Sequence, residues 1–219
     1  MSIVFSGFDS AWGGKEKGAI CDLLSTIEKN GSANLEIKVT KPVDWDGAIE
    51  HAKNNYSKFK NHVLAIDQGL IVPNKTGQRP VENKIASAFM GRYSFGAHTS
   101  NLENPCYCEE AGIWKFLKTL DNLNYKHDPI SVPGMEGRAY FECYPHPAII
   151  GLFNLDKRLD YKVKKKDPSA WGKLIECLHS LQSRKELPIV NIKEWVPCDF
   201  PQNKENEDKL DSIISAYVA

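Results

Sequence analysis

Two short apolar runs in this chain each end on an aspartate. "SIVFSGFD" closes at Asp9, and the apolar run 63 to 66 in "NHVLAID" closes at Asp67. β-branched and aromatic residues dominate both runs, so each reads as a strand. A buried strand that stops at a carboxylate delivers that acid to the strand's C-terminal end. In open α/β sheets the sites lie in the crevice outside those ends. The fold must therefore bury two such strands and leave their acidic ends reachable. Taken singly, Asp9 is also readable as a turn or cap residue.

The other elements follow from local pattern. "KGAICDLLSTI" and "NLEIKVTKP" read as two more strands, separated by "EKNGSA", whose Asn-Gly pair signals a turn. With the first run they make an antiparallel meander. In "DWDGAIEHAKNNYSKF", Trp45, Ile49, Ala52, Tyr56 and Phe59 recur at helical spacing behind a capping Asp44. "RPVENKIASAFMGRY" reads as a helix with Pro80 in its first turn, and "CEEAGIWKFLKTLDNL" as another. "VPGMEG" is a turn and "RAYFECYP" a further strand. "HPAIIGLFNL" is a short helix beginning at Pro147. "DPSAWGKLIECLHSLQSR" and "ENEDKLDSIISAYVA" are the last two helices, the final one with Leu210, Ile213, Ile214 and Tyr217 on its apolar side. The order β-β-β-α-β, then helices, a strand and a closing helix, predicts an α/β fold. Its mixed sheet has three antiparallel strands and then parallel ones, flanked by helices. At 219 residues the chain fits a single domain over 1–219, with a helical insertion around 73–130.

Charge and cysteine usage narrow the function classes. Lys plus Arg and Asp plus Glu number 28 each, which argues against broad coating of a duplex and leaves room for a local basic groove. The sharpest basic feature is "KVKKKD", 162 to 167. No apolar run reaches the length of about eighteen residues that a membrane span needs, and no leader pattern is visible, so a cytoplasmic location is expected. Six scattered cysteines then read as reduced thiols. Cys106 and Cys108, with His98 nearby, fall short of a zinc set unless a further ligand joins them.

More acids join the two at the strand ends. Glu142 alternates with apolar neighbours in "YFECY". Asp208 and Asp211, three apart, share one helix stripe, which is equally the pattern of a solvated face. Gathered together, such carboxylates repel unless they are protonated or hold cations. Hard oxygen ligands supplied by one or two Asp suit Mg²⁺ or Mn²⁺. Two such ions about 4 Å apart activate water and stabilise the leaving oxygen of a phosphodiester.

The acids on the first and fourth strands and on a late helix make the pattern similar to the ribonuclease H-like fold. More narrowly, "GFDSAWG", "AIDQGLIVPNKTGQRPVE", "ECYPHPAI", "RLDYK" and "KLDSIISAYVA" resemble the family called domain of unknown function 429, over residues 3 to 219. That family is described as a predicted nuclease of ribonuclease H fold. The resemblance implies a metal-dependent nuclease with Asp9, Asp67, Asp211 and Glu142 as its acids, Asp208 competing with Asp211 as metal ligand, and one or two Mg²⁺ or Mn²⁺ ions. One departure is Gly69, where the family commonly carries proline, which suggests a looser loop.

Around these acids, Arg79 and Glu82 in "TGQRPVE" are candidates for substrate binding, or a pair that only pins its loop. His146, at a helix start, is a candidate to protonate a leaving oxygen or contact phosphate, or a loop histidine bonded to backbone. Tyr161 and Lys162, then Lys164, Lys165 and Lys166, with Arg158, are candidates to line a backbone-binding groove, or a solvated loop. The expected partner is a nucleic acid or nucleotide, short or structured rather than a long duplex. No membrane partner is expected, and a homodimer is compatible with the chain. Two other classes remain open. A non-catalytic binding module would keep the fold and lose the metal. An actin-like or sugar-kinase protein would normally pair two copies of the fold and carry Gly-rich phosphate loops.

Overall fold

In the computed structural model, which describes residues 2–10, 17–27, 32–130 and 136–219, β1 (Ile3–Asp9), β2 (Gly18–Ile27) and β3 (Ala33–Val43) form the antiparallel meander. The Asn30-Gly31 turn, residues 11–14 of the first motif and most of "VPGMEG" lie outside the described residues. Helix α1 (Trp45–Lys58) follows, with Asp44 accepting the Gly47 N–H at 2.8 Å as its cap. β4 (Asn61–Asp67) then lies parallel to β1. The segment from 73 to 130 carries α2 (Pro80–Tyr93), α3 (Gly112–Asn122) and β5 (Lys126–His127). β6 (Arg138–Glu142) leads into α4 (Pro145–Phe153), α5 (Pro168–Ser180), the single turn α6 (Ile192–Trp195) and α7 (Lys204–Val218).

The result is an α/β protein with a six-stranded mixed sheet, order β3-β2-β1-β4-β6-β5, in which β1, β4, β6 and β5 run parallel. Strand β5 has only two residues, too few to register as a periodic pattern, and the sequence reading omits it. Each face of the sheet carries its own core. Phe8, Leu64, Ile66 and Tyr140 pack with Ile49, Ile113, Phe116 and Leu120 of α1 and α3. Cys21, Leu23, Leu35 and Ile37 pack with Leu174, Leu178, Leu210, Ile213 and Ile214 of α5 and α7. Among the described residues no helix is long and apolar enough to cross a membrane.

Helix α7 is buried almost all round. Residues 206–208 and 210–216 are all buried, so the Asp208–Asp211 stripe is not the solvated face that its spacing also allows. The cause lies in β1. A Cβ built on Gly7 would sit 2.1 Å from the Ser212 carbonyl oxygen and 2.2 Å from the Ala216 nitrogen. Only a residue without a side chain lets the helix backbone settle directly on the strand. Gly7→Ala should therefore destabilise the fold by at least about 3 kcal/mol, beyond ordinary overpacking, because backbone rather than a flexible side chain must move. Urea unfolding of the variant checks this, and a midpoint equal to that of the native chain would refute the close approach.

Candidate functional site

Parallel pairing of β1 and β4 sets Asp9 directly beside Asp67, the last residue of each strand. Side chains alternate along a strand, so Gly7 and Asp9 share the face that α7 covers. Burial is nearly complete for Asp9, Asp67, Glu207, Asp208 and Asp211, at 3, 7, 5, 1 and 0% exposed. Two lysines reach into this group. Lys162 donates to Asp211 Oδ2 and lies 3.2 Å from Glu207 Oε1. Lys204, one turn before Asp208 on α7, donates to Asp208 Oδ1 and lies 3.5 Å from Glu207 Oε1. Tyr161 Oη completes the shell of Asp211 with a 2.5 Å bond to Oδ1.

Among the described residues, five carboxylates and two ammonium groups thus share this buried place, and the burial shows in the protonation. Burial first, then the Asp67 and Asp211 carboxylates, push Asp9 well above the usual carboxylate range; Asp208 adds to this and Lys162 opposes it. Asp208 is raised as well, by burial, with Lys204 acting against the shift. For Lys162 burial disfavours the charge, but Asp211, Tyr161, Asp9 and Glu207 outweigh it and hold the ammonium well above its ordinary value.

A cleft of about 560 Å³ opens over the strand ends, lined by Asp9, Asp67 and Glu207, by Lys162, Lys164 and Lys204, and by His98, Tyr144 and His146. His146 stacks on Tyr161, with ring centroids 5.2 Å apart and planes 27° apart. Desolvation, reinforced by Lys162, Arg158 and His98, lowers His146 to about 3. At neutral pH its ring is uncharged, so it offers a hydrogen bond or a stacking face rather than an acidic proton. His98 is lowered too, by burial and then Lys164 and Lys162.

Not every residue singled out in the sequence joins this group. Glu142 pairs in register with Ile66, one residue before Asp67, which turns it to the opposite face of the sheet. There Arg79 holds it through both guanidinium nitrogens, at 2.9 and 2.6 Å, and the Leu70 N–H donates to it at 3.2 Å. Arg79 Nε donates to Glu82 Oε1 at 2.9 Å, and Glu82 in turn accepts the Ser100 N–H. Of the two readings left open for Arg79 and Glu82, the geometry shows the loop-pinning one. The loop at Gly69 is also tighter than its sequence suggests. The Gly69 N–H donates to Tyr107 Oη at 3.0 Å, a bond that proline has no donor to make.

Sequence reasoning missed Glu207, Lys204 and Tyr144, and it considered His98 only beside Cys106 and Cys108. Lys204, Glu207, Asp208 and Asp211 recur at i, i+3, i+4 and i+7, a stripe of mixed charge that signals one helix face. His98 and Tyr144 carry no such signal.

Carboxylate oxygens are the hard ligands that a divalent cation takes, so the acids that line the cleft, Asp9, Asp67 and Glu207, are the residues that could hold one. Asp9 and Asp67 are the strand-end acids that reach the cleft, whereas Asp208 and Asp211 lie behind it, held by Lys204 and Lys162. Among the described residues no group of three or more His, Cys, Asp or Glu is arranged to hold a metal ion. The acids therefore offer a pair of ligands at the cleft rather than a closed cage.

Folding makes Asp9 harder to ionise, so in the absence of metal its contribution falls as pH rises. The penalty begins above the unfolded carboxyl value near 3.9 and grows until the raised folded value is passed. Asp9→Asn should accordingly raise the melting temperature in chelator at pH 7, and the gain should shrink on acidification toward pH 4. Thermal melts across that range check this, and a variant that melts lower at pH 7 would show that the Asp9 carboxylate is needed for folding.

Comparison with known proteins finds one match. The chain fits the family model described as a protein of unknown function (DUF429) over residues 14–219. No curated protein and no solved structure matches it. The matched stretch includes Asp67, Lys162 and all of α7, and on that extent the chain belongs to the DUF429 family.

Proposed function

We propose that this protein is a metal-dependent phosphodiesterase acting on nucleic acid or nucleotides, built on a ribonuclease H-like domain. The observation that carries the reading is the in-register pair Asp9 and Asp67 at the mouth of a cleft, backed by the buried acids of α7. The sheet order, with an antiparallel β1–β2–β3 meander and β4 parallel to β1, supports the fold assignment.

In this reading Asp9 and Asp67 would hold one or two Mg²⁺ or Mn²⁺ ions, with Glu207 at hand. Such an ion supplies Lewis acidity toward a phosphoryl oxygen and lowers the pKa of a water nucleophile. The chain's own residues set the stage around it. Lys162 and Tyr161 fix both oxygens of Asp211 and keep a compact negative charge behind Asp9. Lys204 does the same for Asp208. Lys164 is exposed at the rim, where it can meet a phosphate. His146, uncharged and stacked on Tyr161, shapes the wall. Arg79 and Glu142 anchor the 67–79 loop and act on the site only through Asp67's position.

One observation favours a second reading, a non-catalytic binding module: both α7 aspartates already have ammonium partners, so part of the cluster is neutralised without any metal. Activity separates the two. Labelled single- and double-stranded DNA and RNA should be cleaved in Mg²⁺ or Mn²⁺ and not in chelator, and Asp67→Asn should abolish that cleavage while remaining folded. Cleavage that persists in Asp67→Asn would place the chemistry elsewhere. A native chain inert on every substrate in both metals would favour the binding module.

A further inference from the structure

The cleft lining includes two chemically different groups beside its acids. One group is aromatic: Tyr144 and His146 lie 6.0 Å apart, centroid to centroid. Both rings are buttressed from outside the cleft. Phe95 approaches Tyr144 at 6.0 Å and His146 at 6.2 Å, and Tyr161 stacks behind His146. The Tyr144 hydroxyl is tied to the Gly96 carbonyl at 3.3 Å. Held this way, with their planes 52° apart, the rings are pre-ordered, so a flat partner can stack on one and meet the other at an angle without first freezing loose side chains. The other group is cationic. Lys164 is exposed, and Lys204 keeps about half of its side chain in solvent while it pairs with α7. The Asp9–Asp67 pair lies in the same cleft.

Size limits what can enter. At about 560 Å³ the cleft falls within the range of roughly 300–1,000 Å³ typical of sites for single small ligands. A duplex presents one negative charge per about 1.7 Å of axis and is held by many cations along its length. Here Lys162 and Lys204 are already engaged with α7, and the chain as a whole is electrically neutral.

We infer that the cleft takes one nucleotide unit, its base against the Tyr144–His146 wall and its phosphate toward the exposed Lys164. Aromatic platforms accept any base through its π-face, so the unit is recognised as a nucleotide rather than by sequence. The same chemistry is offered by a free nucleotide and by the last residue of a strand. An internal position of a duplex, with both neighbours stacked and paired, does not offer it. The inference rests on the phosphodiesterase reading only for what happens to the nucleotide after it binds.

Calorimetric titration of the full chain with adenosine 5′-monophosphate, in chelator and in Mg²⁺, tests the binding itself. One site is expected, with adenosine alone and inorganic phosphate alone each at least tenfold weaker. Tyr144→Ala should weaken the monophosphate about tenfold, the loss of one stacking contact. Lys164→Ala, at an exposed position that leaves the fold intact, should weaken the monophosphate and leave adenosine unchanged. Absence of binding in both buffers, or equal binding in native chain and Lys164→Ala, would overturn the inference. Cleavage of a linear single strand and of the same sequence as a covalent circle, in Mn²⁺, then separates the two readings. Shortening of the linear strand alone supports both readings and assigns the strand end. Release of phosphate from the monophosphate alone assigns the free nucleotide and replaces the phosphodiesterase reading with hydrolysis of a phosphomonoester. Cutting of the circle overturns the single-unit inference while upholding phosphodiester hydrolysis. Binding of the monophosphate with no cleavage of anything upholds the inference and removes the hydrolytic reading.

Discussion

The architecture of the site depends on the bare backbone at Gly7. Because that residue has no side chain, α7 packs against β1 with its Ser212 carbonyl and Ala216 amide almost touching the strand. A helix held at ordinary packing distance would carry Asp208 and Asp211 away from the strand ends. Held this close, it sets them behind Asp9, two residues further along the same face of the same strand. The hydrophobic half of the helix, Leu210, Ile213 and Ile214, joins the core shared with β2, β3 and α5 and fixes its rotation. A packing constraint thus becomes an electrostatic one.

The electrostatic consequence is a buried group of acids that its own lysines only partly neutralise. Asymmetry within the group is informative. Asp208 and Asp211, held by Lys204 and Lys162, lie behind the cleft, while Asp9, Asp67 and Glu207 line it. Protonation cuts across that division, since burial first drives upward both Asp9 at the cleft and Asp208 behind it. A polar group is costly to bury without compensation, and a protein that keeps such a cluster has either a proton or a cation to hold there. In the same cleft the rings of Tyr144 and His146 replace charge with shape, so the lining combines acids, lysines and aromatic rings.

Much of this was legible in the sequence, and the failures have physical causes. The two strands ending in acids, the meander and the long helices follow from periodicity that local composition dictates, and all are present. Asp9 and Asp67 follow too, since parallel strands that start together end together. Glu142 shows the limit. Its motif lies on the correct strand, but strand residues alternate, and a shift of one position sends the side chain to the other face, where Arg79 holds it. No local pattern encodes the register that decides this. Lys162 reaches Asp211 from a loop, a partnership that depends on tertiary approach, whereas Lys204 meets Asp208 one turn on in the same helix, a pairing that the spacing carries. Asp208 and Asp211 looked like a solvated stripe because the spacing of a helix face is the same whether water or a strand lies against it.

The account's central claim is that the strand-end pair Asp9 and Asp67 is a cation site. Titration of Mn²⁺ into the metal-free protein, followed by the paramagnetic resonance signal of the free ion, tests it without requiring a substrate. The account predicts that the native chain removes Mn²⁺ from solution, that Mg²⁺ competes it off, and that Asp67→Asn fails to bind it. A native chain that leaves the free-ion signal unchanged, or an Asp67→Asn variant that binds as well as the native chain, would contradict it.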